Sequence, residues 1–152
     1  MKEIKVENPT VKSCAPYGTF TRLTDYEAFR GDGWECWMTE GLCMDQPGKL
    51  SRCQCESTIP FILNKMYKSS GQKLLICSQQ EMVIAVASRN DGMKPEEAEI
   101  KAFIMKPGEI LLLQPGIWHD ICRGAEVPVE YYELVSEDEE TETGIEEVKI
   151  IK

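Results

Sequence analysis

Gly108-Glu109-Ile110-Leu111-Leu112-Leu113-Gln114-Pro115-Gly116-Ile117-Trp118-His119 is the stretch whose reading decides the fold. Four aliphatic residues in a row enter a Pro-Gly turn, and a Trp-His pair leaves it where a new strand should begin. The pattern puts a titratable side chain at a strand start, a place where small β-barrels build sites. His119 is the single histidine of the chain, so no multi-histidine metal centre can form within one subunit.

Outward from this turn, strand-like runs recur at short intervals. Lys73-Leu74-Leu75-Ile76-Cys77 and Met82-Val83-Ile84-Ala85-Val86-Ala87 read as strands, the second as a buried one because it is apolar throughout and partly β-branched. Ser78-Gln79-Gln80 between them is short enough for a hairpin. Turns are expected over 89–92 and 106–109, and a helical turn or loop over 95–98. Ile100-Lys101-Ala102-Phe103-Ile104-Met105 reads as a further strand. Residues 19–23 and 127–135 read the same way, as does a segment after His119, and 148–151 reads as an edge strand, while Gly31-Asp32-Gly33 is a break that leads into 34–38. A turn of helix is expected over 25–30. Many short strands separated by Gly and Pro indicate an all-β sandwich or barrel, of which the jelly roll is one form.

Composition narrows the function classes. At 152 residues the chain is one domain by size, and a domain of this length buries about two-thirds of its unfolded surface. A net charge of −9 argues against nucleic acid, whose phosphates call for a concentrated basic surface. Part of the acidity is local, in Ser136-Glu137-Asp138-Glu139-Glu140-Thr141-Glu142-Thr143, and 136–147 is expected to be a solvated, mobile segment. The N-terminal residues lack the apolar core of a signal peptide, and no apolar run is long enough to span a bilayer. Seven cysteines in such a chain read as reduced thiols of a cytoplasmic protein. Cys36, Cys43, Cys53 and Cys55 have a spacing that fits no common zinc ribbon or finger.

Two resemblances carry the reading further. Gly108, seven residues, Gly116, two residues and His119 resemble the second motif of the cupin superfamily, with the usual Pro at Pro115. Gly116 then allows a sharp turn and the His projects into the barrel. The first cupin motif supplies two His one residue apart and then a carboxylate. Asn64-Lys65-Met66-Tyr67-Lys68-Ser69-Ser70-Gly71-Gln72 laid on it puts Lys65, Tyr67 and Gln72 at those positions. More specifically, the chain resembles the ureidoglycolate lyase family, also called ureidoglycolate hydrolase. The matching pieces are Tyr17-Gly18, Ser69-Ser70-Gly71-Gln72, 82–87, 100–104 and Gly116-Ile117-Trp118-His119, in that order.

The resemblance implies a cupin-like double-stranded β-helix with a few short helices, a homodimer, and cleavage of ureidoglycolate to glyoxylate and urea. The family has Glu and His before its Gln, and a second His after its Trp-His pair. Here Lys65, Tyr67 and Asp120 stand at those three positions, while Gln72 and His119 match. Lys and Tyr are poor ligands for a divalent ion at neutral pH, so neither a metal nor another cofactor is expected. Alternation along the strand is expected to turn Asp120 away from His119.

The ligand expected is a small carboxylate-bearing molecule. His119 and Tyr67 suit the general base and general acid of an elimination, and Lys65 the substrate carboxylate. Gln72 suits the ureido group, Lys101 an anion, since it stands for a family Arg, and Trp118 a substrate platform. Structural alternatives stand beside these roles: His119 donating to a backbone carbonyl, Lys65 solvated, Tyr67 at a rim, Trp118 packing the turn. The competing function is a non-catalytic cupin that binds or senses a small polar ligand.

Overall fold

The computed structural model of the chain describes residues 1–88, 95, 99–136 and 139–152. The described strands are β1 (Lys2–Glu7), β2 (Gly18–Arg22), β3 (Phe29–Gly31), β4 (Trp34–Cys36), β5 (Lys49–Cys55), β6 (Phe61–Ser69) and β7 (Lys73–Cys77). They continue with β8 (Met82–Ala87), β9 (Ile100–Met105), β10 (Glu109–Leu113), β11 (Trp118–His119), β12 (Arg123–Gly124), β13 (Val129–Val135) and β14 (Glu140–Ile151). One helical turn, α1 (Val11–Cys14), is capped by Thr10, whose side chain accepts from the Ser13 backbone.

Two sheets dominate. One has the order β11-β6-β14-β1-β9-β8-β12, and β11 pairs with β8 as well as with β6, so the sheet closes on itself. The second has the order β2-β10-β7-β13-β5, and a small hairpin joins β3 to β4. Closure removes two exposed edges from the first sheet.

Strand β8 shows why the sheets pack as they do. Its six residues are all fully buried. Met82, Ile84 and Val86 join Phe103, Met105, Leu75, Leu111 and Tyr131 in a core between the two sheets. Val83, Ala85 and Ala87 join Leu63, Met66, Trp118, Val148 and Ile150 in a second core on the other face. A strand with both faces covered has no polar parity, which is why its sequence is apolar without alternation. Each large side chain so buried stabilises the fold by about 1.5–3 kcal/mol.

Several sequence expectations need correction. β7 and β8 lie in different sheets, so Ser78-Gln79-Gln80 turns a corner and is no hairpin. β8 needs β9 and β11 at its sides to be covered, and pairing with β7 would deny it one of them. The helix expected over 25–30 is a 3-10 turn at Leu23–Asp25 followed by β3, which meets β4 across Gly33 at φ 79°. Residues 148–151 form no edge: β14 lies between β6 and β1, with Val148 and Ile150 fully buried. Of the segment 136–147, expected to be solvated and mobile, residues from Glu140 onward are strand: Glu140 to Gly144 pair with β6, the register shifts before Val148, and the first side chains stay exposed. Glu137 and Asp138, the turn over 89–92 and most of the turn over 95–98 lie outside the described residues.

β2 stays tight against β10 only because position 18 has no side chain. A Cβ built on Gly18 would stand 1.8 Å from the Leu112 carbonyl oxygen. Gly18→Ala is expected to cost about 2–3 kcal/mol by forcing the two strands apart, read as a lower urea midpoint with an unchanged slope.

Candidate functional site

The Pro115-Gly116 turn sets the site. Gly116 has φ 82°, a conformation a side chain resists, and its N–H donates to the Ser69 carbonyl at 3.0 Å. That bond ties the turn to the end of β6 and delivers β11 between β6 and β8. Trp118 then faces Lys68 and His119 faces Tyr67 across the ladder. Successive residues point to opposite faces, so Trp118 enters the second core while His119 and Tyr67 share the space between the sheets. The two rings lie 6.5 Å apart between centroids.

The cavity around them holds about 310 Å3. The five-stranded sheet supplies its other wall with Cys53 and Cys55 from β5, Lys73 and Leu75 from β7, and Tyr131 and Glu133 from β13. Glu140, Asp120 and Cys122 complete it. The Lys73 ammonium lies 3.3 Å from the Glu140 carboxylate and 3.9 Å from that of Glu133. Lys73 is buried, and the cavity therefore encloses a cation with two anionic neighbours.

His119 is buried at 3 % exposure. Its Nδ1 lies 3.3 Å from the Asp120 carbonyl oxygen, and its Nε2 has no hydrogen-bond partner among the described residues. Burial, and then the nearby Lys73 charge, push its pKa down to about 3 against the opposing pull of that carbonyl. At neutral pH the ring is therefore neutral. With Nδ1–H donating to the carbonyl, Nε2 is left as an acceptor. The bland reading of His119 holds for one nitrogen and leaves the other to the cavity.

The remaining polar groups are committed. Tyr131 accepts at its hydroxyl from the Cys122 N–H at 3.3 Å, and burial pushes its own pKa up. Burial likewise raises the thiols of Cys122 and Cys53, so neither is a thiolate nucleophile at neutral pH. Asp120 is held by Arg123 at 3.0 Å, while burial raises its carboxyl above the usual range.

The sequence-derived residues divide into two groups. His119 and Tyr67 meet in the cavity, with Lys65 just outside it, its Nζ 5.6 Å from the Tyr67 ring centre and 3.4 Å from Glu142. Gln72, Lys101 and Trp118 do not line it. Gln72 is buried elsewhere, accepting from the Asp45 N–H at 2.7 Å and reaching Gln114 at 3.4 Å. Lys101 is exposed and paired with Glu7 at 3.4 Å. Trp118 packs inside the closed sheet with the Lys68 ammonium 4.8 Å from its ring centre.

Sequence reasoning missed Lys73 and Glu133. Both had a legible signal, because Lys73 shares parity with Leu75 and Cys77, and Glu133 with Val129 and Tyr131, all inward-facing. Asp120 does line the cavity, although its carboxylate is turned to Arg123.

Comparison with known proteins bears on the fold. The deoxysugar epimerase dTDP-6-deoxy-D-glucose-3,5-epimerase RmlC of Legionella pneumophila Philadelphia 1 superposes with a TM-score of 0.52 over 79% of this chain and 69% of that one, at 12% identity. The fold is a cupin fold. At that identity the likeness concerns architecture alone. Peruvianin-I, a cysteine peptidase from Thevetia peruviana latex, superposes with a TM-score of 0.45 at 14% identity over 63% of this chain, which spans about half of it, 54%. No family model matches the sequence. Among curated proteins, one named "Putative ureidoglycolate lyase" from Agrobacterium fabrum (strain C58) is 25% identical over 122 residues, 78% of this chain and 74% of that protein.

The described residues around His119 do not fit a metal ion. Among the described residues no three His, Cys, Asp or Glu side chains come together as a metal-binding group. His119 Nε2 is a lone neutral donor beside an ammonium, which repels a cation.

The His119 environment predicts a pH effect. The folded pKa of about 3 lies below the unfolded value near 6.5. The unfolded chain therefore binds the extra proton first as pH falls, and stability drops between about pH 6.5 and 3 by up to about 1.4 kcal/mol per unit from this group. His119→Gln removes that component. Urea titrations from pH 7 to 4 should show a shallower acid loss in the variant than in the wild type.

Proposed function

We propose that the cavity takes a small molecule bearing a hydroxyl and a carboxylate, and that it acts as a ureidoglycolate lyase-like site. The observation that carries this reading is His119 Nε2, a buried acceptor with no partner among the described residues, beside a phenol and an ammonium. Such an atom calls for a donor from the ligand, and the hydroxyl of a 2-hydroxy acid derivative is one. The sequence likeness to the Agrobacterium fabrum protein supports the same substrate class.

The residues can carry the elimination in balance. His119 Nε2 takes the hydroxyl proton while the carbon–oxygen bond becomes a carbonyl. The carbon–nitrogen bond breaks with its electron pair going to nitrogen, and the Tyr67 hydroxyl protonates that nitrogen. Glyoxylate and urea leave, and the proton on His119 returns to Tyr67 through solvent. Lys73, inside the cavity, suits the substrate carboxylate better than Lys65, which stays at the rim beside Tyr67. This reading carries a cytoplasmic homodimer with it, implied by the family resemblance, and the seven free cysteines suit a reducing compartment.

A second reading, binding without turnover, is favoured by the same low His119 pKa and by the carboxylates already beside Lys73. Purified protein given ureidoglycolate, with the product trapped as a hydrazone, should release glyoxylate above the spontaneous rate. His119→Gln is expected to lower kcat by about 100-fold or more. Absence of glyoxylate, together with a melting-point rise on adding ureidoglycolate that His119→Gln loses, would install the binding reading instead.

A further inference from the structure

We propose that Glu140 is a specificity-determining residue of this cavity: its carboxylate occupies the Lys73 ammonium, and a ligand carboxylate binds by taking its place. The inference rests on the reading above, in which Lys73 meets the ligand's carboxylate, and it assigns a role to a residue of the acidic segment that the reaction does not use.

Lys73 offers three N–H donors and faces Glu140 at 3.3 Å and Glu133 at 3.9 Å. Its side chain is 8% exposed, so water screens these contacts poorly. A third carboxylate added to this arrangement would set three anions around one cation, and like charges forced together cost several-fold in affinity. One of the two residents has to withdraw.

Exposure decides which. The Glu133 side chain is 18% exposed and sits within β13, whose residues pair on both sides with β5 and β7. The Glu140 side chain is 38% exposed and is the first residue of β14. A carboxylate that can turn to water regains hydration when released, whereas one walled in by two strands does not. Glu140 is the partner that yields.

Selectivity follows from this exchange. A bare carboxylate gains little, since one carboxylate replaces another on Lys73. A ligand that adds a hydroxyl for His119 Nε2 gains a bond that none of the described residues supplies, so the site favours hydroxy acids over simple acids. An uncharged ligand does not compete with Glu140 at all.

The test uses the full chain and three probes: glycolate, acetate and urea, followed by calorimetry. Glu140→Gln keeps the side-chain shape and removes the charge. It is expected to tighten both acetate and glycolate by about tenfold and to leave urea unchanged. Glu140→Ser, which also removes the charge, should behave alike if the Gln variant folds poorly. Glu146→Gln removes the same charge from an exposed position farther along β14 and should move the affinities by less than about twofold. Lys73→Met should abolish carboxylate binding with or without Glu140.

Unchanged or weaker carboxylate binding in both Glu140 variants, with Lys73-dependent binding in the wild type, overturns the role of Glu140 and leaves the reading of the cavity standing. Equal tightening by Glu146→Gln overturns it too, since a general charge effect would then explain the result. Carboxylate binding that is absent throughout, or indifferent to Lys73→Met, overturns both the inference and the reading on which it rests.

Discussion

Everything in this fold depends on a two-residue strand that is paired on both sides. Trp118 and His119 bond to β6 on one edge and to β8 on the other, and the Asp120 N–H continues the ladder to the Ala85 carbonyl at 2.9 Å. Without that bridge the first sheet would expose two edges, and β8 would lose the partner that lets both its faces be buried. The bridge also fixes which way its two side chains point. Trp118 fills the closed sheet and His119 opens on the cavity, so a single backbone arrangement sets both the packing and the chemistry.

The chemistry is governed by what is left unpaired. Most polar groups around the cavity have partners within the protein: Asp120 with Arg123, Tyr131 with the Cys122 backbone, Lys73 with two glutamates. His119 Nε2 has none among the described residues, and unlike the unpartnered Trp118 Nε1 it belongs to a residue that lines the cavity. Desolvation and Lys73 together keep that ring neutral, so it accepts a hydrogen bond where an imidazolium could only donate. The same electrostatic arrangement makes the site sensitive to the ligand's charge.

The strands were legible where the sequence had only one thing to say. Met82–Ala87 and Ile100–Met105 are read from the sequence with the bounds the structure gives them, the first because burial on both faces demands an unbroken apolar run, the second because Lys101 alone interrupts its apolar residues. Lys2–Glu7 and Lys49–Cys55 escaped notice, since their alternating polar residues look like surface chain until a neighbour covers one side. In the site the same contrast appears. His119 stood out as a lone histidine after a Pro-Gly turn, and Tyr67 followed from the spacing of the first motif. Lys73 and Glu133 were visible only as charged residues at inward parity, a signal that means nothing until the strand's inner face is known.

The sequence by itself determined the all-β class, the turn with its required glycine, and the pairing of an aromatic with a histidine at the start of a strand. These are local matters, set by backbone sterics and by the apolar or polar character of neighbouring residues. Tertiary structure alone decided that β7 and β8 part to different sheets, that β14 runs through the middle of one, and that Lys73, and neither Lys65 nor Lys101, is the cation beside His119. Those outcomes depend on contacts between segments far apart in the chain, such as Glu140 on β14 meeting Lys73 on β7. No periodicity within a single segment records which distant strand will lie beside it, because that choice is made by the joint burial of faces that only the folded chain brings together.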